Sequence, residues 1–245
     1  MTAEELPLPM PRQSDEGDGA DDRPIDDPRA LQILSTEHWS LLAGRSLAYN
    51  EAFTRTGMFL TFLSASLIVV GFLVASDRFA EAAIPIVVLL LAVNLFVGLA
   101  TLGRVVAAGL EEFAAVRGMN RIRHAYAEMI PGIERYFVTS IHDDRLGTAI
   151  SGYVLGRPIR PTSRLSNVLH GQTTVPGMLA SIDGILFAAL ISVIALALGA
   201  TLGLALGLGI VALLGGFAAI TGWMLRTWTQ GPIFDEPLFP TPPKP

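Results

Sequence analysis

The sequence predicts an all-α polytopic membrane protein, with four transmembrane helices as two hairpins and a helical cytoplasmic layer. Three observations carry this. Gly184 to Leu225 is a run of 42 residues without one charged side chain. As a single helix it would measure about 63 Å at ~1.5 Å per residue, twice the ~30 Å of a hydrocarbon core. It therefore crosses twice and turns near Gly199-Ala200-Thr201-Leu202-Gly203. Thr56–Ser76 and Ala82–Gly103 are two further charge-free runs. Finally, 16 of the 17 basic residues fall in the segments that four spans place on one side, the exception being Arg78. Arginine and lysine bias sets orientation, so both termini are expected in the cytoplasm and the protein in the plasma (inner) membrane.

Residues 1–28 hold nine acidic side chains against Arg12 and Arg23, with prolines at 7, 9, 11, 24 and 28. Such a segment buries too little apolar surface to offset its ordering entropy, so it reads as a disordered acidic tail. A helix over residues 29–55 starts at Pro28-Arg29, because proline suits a first helical position. Leu31, Leu34, His38, Leu41, Arg45, Ala48 and Ala52 form one stripe along it, which makes an amphipathic helix leading into the first span.

Residues 56–103 form the first hairpin, turning through Asp77-Arg78-Phe79-Ala80-Glu81, with Pro85 in the first turn of the second span. In the cytoplasmic segment 104–175, Val106, Leu110, Phe113, Val116, Asn120, Arg123, Tyr126 and Ile130 repeat at three and four, and Pro131-Gly132 ends that helix. A short helical piece is expected over Ile133–Ile141, then loop from His142, with a surface turn at Thr162–Gly171 carrying Leu165, Val168 and Leu169. Residues 176–225 form the second hairpin, with Trp223 and Trp228 at the interface. Residues 226–245 read as a proline-rich, extended and mobile tail.

Polar residues in the spans are the candidate functional positions. Asp183 is the one acid that enters a span, and a charge there usually has a partner or a wet cavity. It sits at the headgroups, pairs with Arg104, or handles protons or ions. Asn94 is expected to hydrogen-bond across helices, a contact worth about 0.6–2 kcal/mol. Thr61, Ser64, Ser66 and Asn94 are candidate pore-lining residues. Gly203 and Gly207 have the small-x-x-x-small spacing that lets two helices approach closely.

The chain has no cysteine, which excludes thiolate catalysis and zinc-thiolate sites. Its four histidines are scattered, and no metal site, cofactor or catalytic motif is predicted, so it reads as a non-enzyme. Among the weaker alternatives is a lipid-directed enzyme using His142, Asp143 or Asp144. Arg117, Arg121 and Arg123 form a basic stretch suited to anionic lipid, at about 1 kcal/mol each. Glu111, Glu112 and Glu128 dilute that stretch and argue against nucleic acid as a partner. The expected partners are the bilayer and further copies of the chain.

Two stretches, Thr36-Glu37-His38-Trp39-Ser40-Leu41-Leu42 with Arg45-Ser46-Leu47, Asn50-Glu51 and Phe59-Leu60, and Asn120-Arg121-Ile122-Arg123-His124-Ala125-Tyr126 with Tyr136-Phe137, resemble an uncharacterised family of bacterial four-span integral membrane proteins. The resemblance runs over residues 29–225 and implies the membrane location and the four-span plan, with no functional residue. The order helix, span, short loop, span, long cytoplasmic helix is also similar in layout to the two-span effector modules of bacterial nucleotide-signalling defence systems, which implies an oligomeric ion channel or pore. The alternative is a non-transporting membrane scaffold or signalling adaptor.

The topology makes a direct prediction. Tags fused to the N- and C-termini are expected on the same face of the membrane in a protease-protection assay, and termini on opposite faces would contradict it.

Overall fold

The structure is a computed structural model that describes residues 27–75, 80–152, 174–230 and 236–243. The expected disorder of residues 1–26, the loop at Asp77, Arg78 and Phe79, and the surface turn at Thr162–Gly171 lie outside the described residues.

Among the described residues the chain is helical, without strands. Helix α1 spans Ala30–Ala75 and α2 spans Ala80–Met129. A 3₁₀ turn follows at Ile133–Tyr136, then α3 at Arg145–Gly152, α4 at Val175–Ala197 and α5 at Leu202–Gln230. Four of these, α1, α2, α4 and α5, are long and apolar enough to cross a membrane. The 46 residues of α1 and 50 of α2 correspond to about 69 and 75 Å, so each continues well past a bilayer core without a break. Residues 30–55 and 104–129 are thus the polar ends of two rods whose other ends are the first two spans.

Helices α1 and α2 pack along their length, α4 packs on α5, and α2 is the central helix, touching α1, α3 and α4. The α1–α2 register is antiparallel: Leu41 lies against Gly118, Arg45 against Glu112, and Glu51 against Arg104. The predicted α1 stripe turns inward from Leu34 to Ala52, while Leu31 stays 56% exposed. A continuous apolar core runs from Ala48 and Ala52 through Phe59, Leu102 and Val106 to Leu179, Ala180 and Leu186.

The expected helix boundaries hold at three places for identifiable reasons. Gly132, at φ 87°, sits in the left-handed region that ends α2 after Pro131. Gly199, at φ 86°, closes α4 with bonds from its own N–H to Leu196 and from Ala200 N–H to Ala195, a left-handed C-terminal cap. Thr174 caps the start of α4 by accepting from Gly177 N–H at 3.3 Å, with Pro176 in the first turn. One boundary differs. Helix α2 begins at Ala80, so Pro85 lies in its second turn, where its missing N–H leaves the Glu81 carbonyl without the usual helical donor.

Two further expectations are corrected. The loop from His142 contains α3, capped by Asp144, whose Oδ1 accepts from Gly147 N–H at 2.7 Å. Gly147 read as a loop residue, but a Cβ there would collide with the His142 carbonyl, so it serves packing. Gly203 and Gly207 have nothing within 4 Å of an added Cβ and do not form the α4–α5 contact. That role falls to Gly209, where a Cβ would strike Ser192 Oγ, and Gly216, where it would lie 3.0 Å from Phe187.

This contrast gives a prediction. Gly209→Leu is expected to destabilise the helical bundle by about 1–3 kcal/mol through overpacking, whereas Gly207→Leu leaves the unfolding midpoint in detergent unchanged. Equal effects of the two substitutions would contradict the assigned helix face.

Candidate functional site

The polar residues inside the spans do not gather into a path. The hydroxyls of Thr61, Ser64 and Ser66 donate to the carbonyls of Gly57, Leu60 and Phe62 one turn earlier, at 2.9, 2.8 and 2.9 Å. Thr61 and Ser64 are exposed on α1, while Ser66 is buried on the opposite side. Asn94 is 1% exposed and donates to Leu90 in its own helix, at 2.8 Å, with its carbonyl oxygen unpartnered among the described residues. The expected cross-helix bond of Asn94 is therefore absent, because a back-bond to the preceding turn is within reach without ordering a second helix. Ser192 makes the cross-helix bond instead, donating from α4 to the Ala205 carbonyl on α5 at 3.2 Å.

Asp183 is fully buried, at 0% exposure, between α4 and α2. A Cβ on Gly98 would collide with its carboxyl, and Phe59 closes the same spot at 3.0 Å. Both carboxyl oxygens lack a hydrogen-bond partner among the described residues. Helix α4 starts at Val175, so Asp183 lies about 12 Å along it rather than at its N-terminus. Asp183 does not pair with Arg104. Arg104 is taken by Glu51 and Glu111, both at 2.8 Å, on the polar side of the boundary.

That boundary carries a ladder of ion pairs. Arg104 bridges Glu51 and Glu111, Arg55 joins Glu51 at 2.9 Å, and Arg45 joins Glu112 at 2.7 Å. The hydrogen bond from Arg104, then that from Arg55, lowers the Glu51 carboxyl to about 2. Beside the ladder lies a cavity of about 330 Å³, lined by Tyr49, Phe53, Gly109, Glu112, Pro176 and Trp228. Its walls are mostly apolar, with Thr174 and Glu112 among the polar members, and Arg45 pairs with Glu112.

The densest set of specific contacts lies farther out, where α2, the turn before α3 and the C-terminal segment meet. Residues 236–243 are not free there. Asp143, with a side chain 0% exposed, accepts from Phe239 N–H at 2.8 Å and Leu238 N–H at 3.1 Å, and its own N–H donates to the Phe239 carbonyl at 3.2 Å. Asp144 accepts from the N–H of Thr241 at 3.1 Å and from its hydroxyl at 2.9 Å. Arg117 donates to the Glu236 carbonyl at 3.0 Å. The Phe239 ring stacks on His124 at 3.8 Å.

From α2, Arg121 and Arg117 hold Asp143 at 2.7 and 3.4 Å, and Asn120 fixes the turn through the His142 carbonyl at 2.7 Å. Of the basic stretch expected to face lipid, Arg117 and Arg121 bond Asp143 with side chains 11% and 39% exposed, and Arg123 bonds Asn120 at 2.8 Å. Asp143 and Asp144, considered above for catalysis, are bonded to the C-terminal segment, and the His142 carbonyl accepts from Asn120. Among the described residues no group of three metal-ligating side chains converges. No family model, curated protein or solved structure matches the chain.

The tail contacts carry a pH signature. Burial raises both aspartates, but the Phe239 and Leu238 N–H groups with Arg121 outweigh it at Asp143, and the Gly147 and Thr241 donors do so at Asp144. Both carboxyls therefore titrate below their ordinary 3.8 in the folded chain. A lowered folded value means the stabilisation is complete above the unfolded value and is lost as pH falls through the folded one. The Leu238, Phe239 and Thr241 amides are expected to stay protected from hydrogen exchange at pH 5–8 and to lose protection only below about pH 4. Release of the segment near neutrality would contradict the assignment.

Proposed function

We propose that this membrane protein is a non-transporting, non-catalytic scaffold or adaptor, anchored by four spans and presenting the polar ends of α1 and α2, with α3, as a docking surface. One observation carries the reading. The ordered contacts of the chain are concentrated where Asp143 and Asp144 grip the C-terminal segment, whereas the polar residues of the spans are buried, bonded within their own helix or, at Ser192, bonded to the neighbouring helix. Self-association belongs to the same proposal and is supported by Trp39 and Phe53, which stand 67% and 58% exposed on the polar end of α1.

The competing reading, an oligomeric ion channel or pore-forming effector, has Thr61 and Ser64 in its favour, because both are exposed on α1. Against it stand Ser66, Asn94 and Asp183. Each is buried within the chain's own packing, at 6%, 1% and 0% exposure.

Reconstitution separates the two readings. The full chain in liposomes is expected to release neither potassium nor a small trapped dye above the protein-free rate. Flux that Ser64→Leu abolishes would overturn the scaffold reading in favour of a pore.

A further inference from the structure

The residues around Asp143 form a built recognition site whose occupant is visible. The occupant is Glu236–Pro243, reading Glu-Pro-Leu-Phe-Pro-Thr-Pro-Pro. Four of its residues are prolines and own no N–H, which leaves Leu238, Phe239 and Thr241 as the only backbone donors after Glu236. Each of these three donates to Asp143 or Asp144. The spacing of donors along the segment thus matches the spacing of two adjacent carboxylates.

Side chains add selectivity at two positions. Phe239 stacks on His124, and the Thr241 hydroxyl bonds Asp144. Leu238 is 63% exposed and contributes its backbone alone. Proline-spaced segments are stiff and lose little entropy on docking, which is why short ones serve as ligands.

Building on the scaffold reading, we propose that this groove is a peptide-recognition site, occupied in cis by the chain's own C-terminal segment. It accepts in trans a partner segment with the same proline-flanked Phe-Pro-Thr core, bent as the resident one is at Leu238 and Phe239. The resident segment then acts as a competitor, since a short tether holds it at an effective concentration of about millimolar.

The test uses the full chain with a protease site placed within residues 231–235, folded in detergent and then cut. A fluorescent peptide of residues 236–243 is expected to bind the cut protein saturably and the uncut protein at least about 10-fold more weakly, as tethered competition requires. Peptides carrying Phe239→Ala or Thr241→Ala should bind the cut protein at least about 10-fold more weakly, and one carrying Leu238→Ala within about 3-fold, as the hydrogen bonds and stacking dictate.

Three results would overturn the proposal. They are no saturable binding at millimolar peptide, equal binding to cut and uncut protein, and loss of hydrogen-exchange protection in α3 on cutting. The last would make the segment a structural strand rather than a ligand. The liposome flux measurement decides the scaffold reading separately, and its outcome leaves the peptide measurement standing.

Discussion

A backbone that enters hydrocarbon must satisfy its hydrogen bonds within its own segment, and this chain carries that solution out past the lipid. Helices α1 and α2 do not end where the apolar runs end; they continue as unbroken rods. Their antiparallel register is shared by the membrane and polar halves. Once Phe59, Leu102 and their neighbours fix the rotation of the two helices, Arg45 must meet Glu112 and Glu51 must meet Arg104. The ion-pair ladder is a consequence of that register more than a cause of it, in keeping with the small net worth of partly exposed pairs.

Within the spans, helix association cannot draw on the hydrophobic effect, because lipid is as apolar as leucine. Close approach takes its place. Gly98 admits the Asp183 carboxyl, and Gly209 admits Ser192 together with the Ala188 carbonyl at 3.3 Å. The hydroxyls of Thr61, Ser64 and Ser66 are spent on their own helices and contribute nothing between them. Asp183 opposes stability: a buried polar group left without a partner costs about 1–3 kcal/mol. The apolar core around Phe59 and Leu179 must offset that cost.

What the sequence made legible follows from lengths and charges. A charge-free run twice as long as a bilayer is thick must fold back, and Gly199 is where it does so. The three- and four-residue spacing of Leu34, His38, Leu41 and Ala48 identified the inward face of α1. Partner choice was less legible, because a period names a face but gives neither the rotation nor the height of its neighbour. Arg104 and Asp183 lie in the same region of the chain's layout, yet the carboxylates of Glu51 and Glu111 reach the guanidinium without leaving the polar side. Asn94 and Gly207 were assigned to helix contacts by residue type, and Ser192 and Gly209 make them. The Asp144 cap of α3 was a readable signal, masked by the glycines that follow it. The C-terminal segment misled by composition. Proline-rich, it reads as mobile, but prolines also reduce the number of backbone donors that need partners. Asp143 and Asp144, separated from it by more than 90 residues, supply all of them.

The electrostatics of the groove make exchange of its occupant feasible. Asp143 is buried under contacts from the segment and from α2, and a carboxylate stripped of every partner would be costly. Here it keeps Arg121 and Arg117 when the segment leaves, so the vacated site exposes a paired ion to water rather than an orphan. Hydrogen bonds from the segment to these carboxylates, worth about 1.5–3 kcal/mol each, are replaced by water on departure or by the equivalent N–H groups of another segment. The guanidiniums that hold the aspartate in place come from α2, the central helix of the bundle, and not from the segment itself. A site whose charge-compensated floor comes from a different element than its occupant is arranged for replacement of one peptide by another.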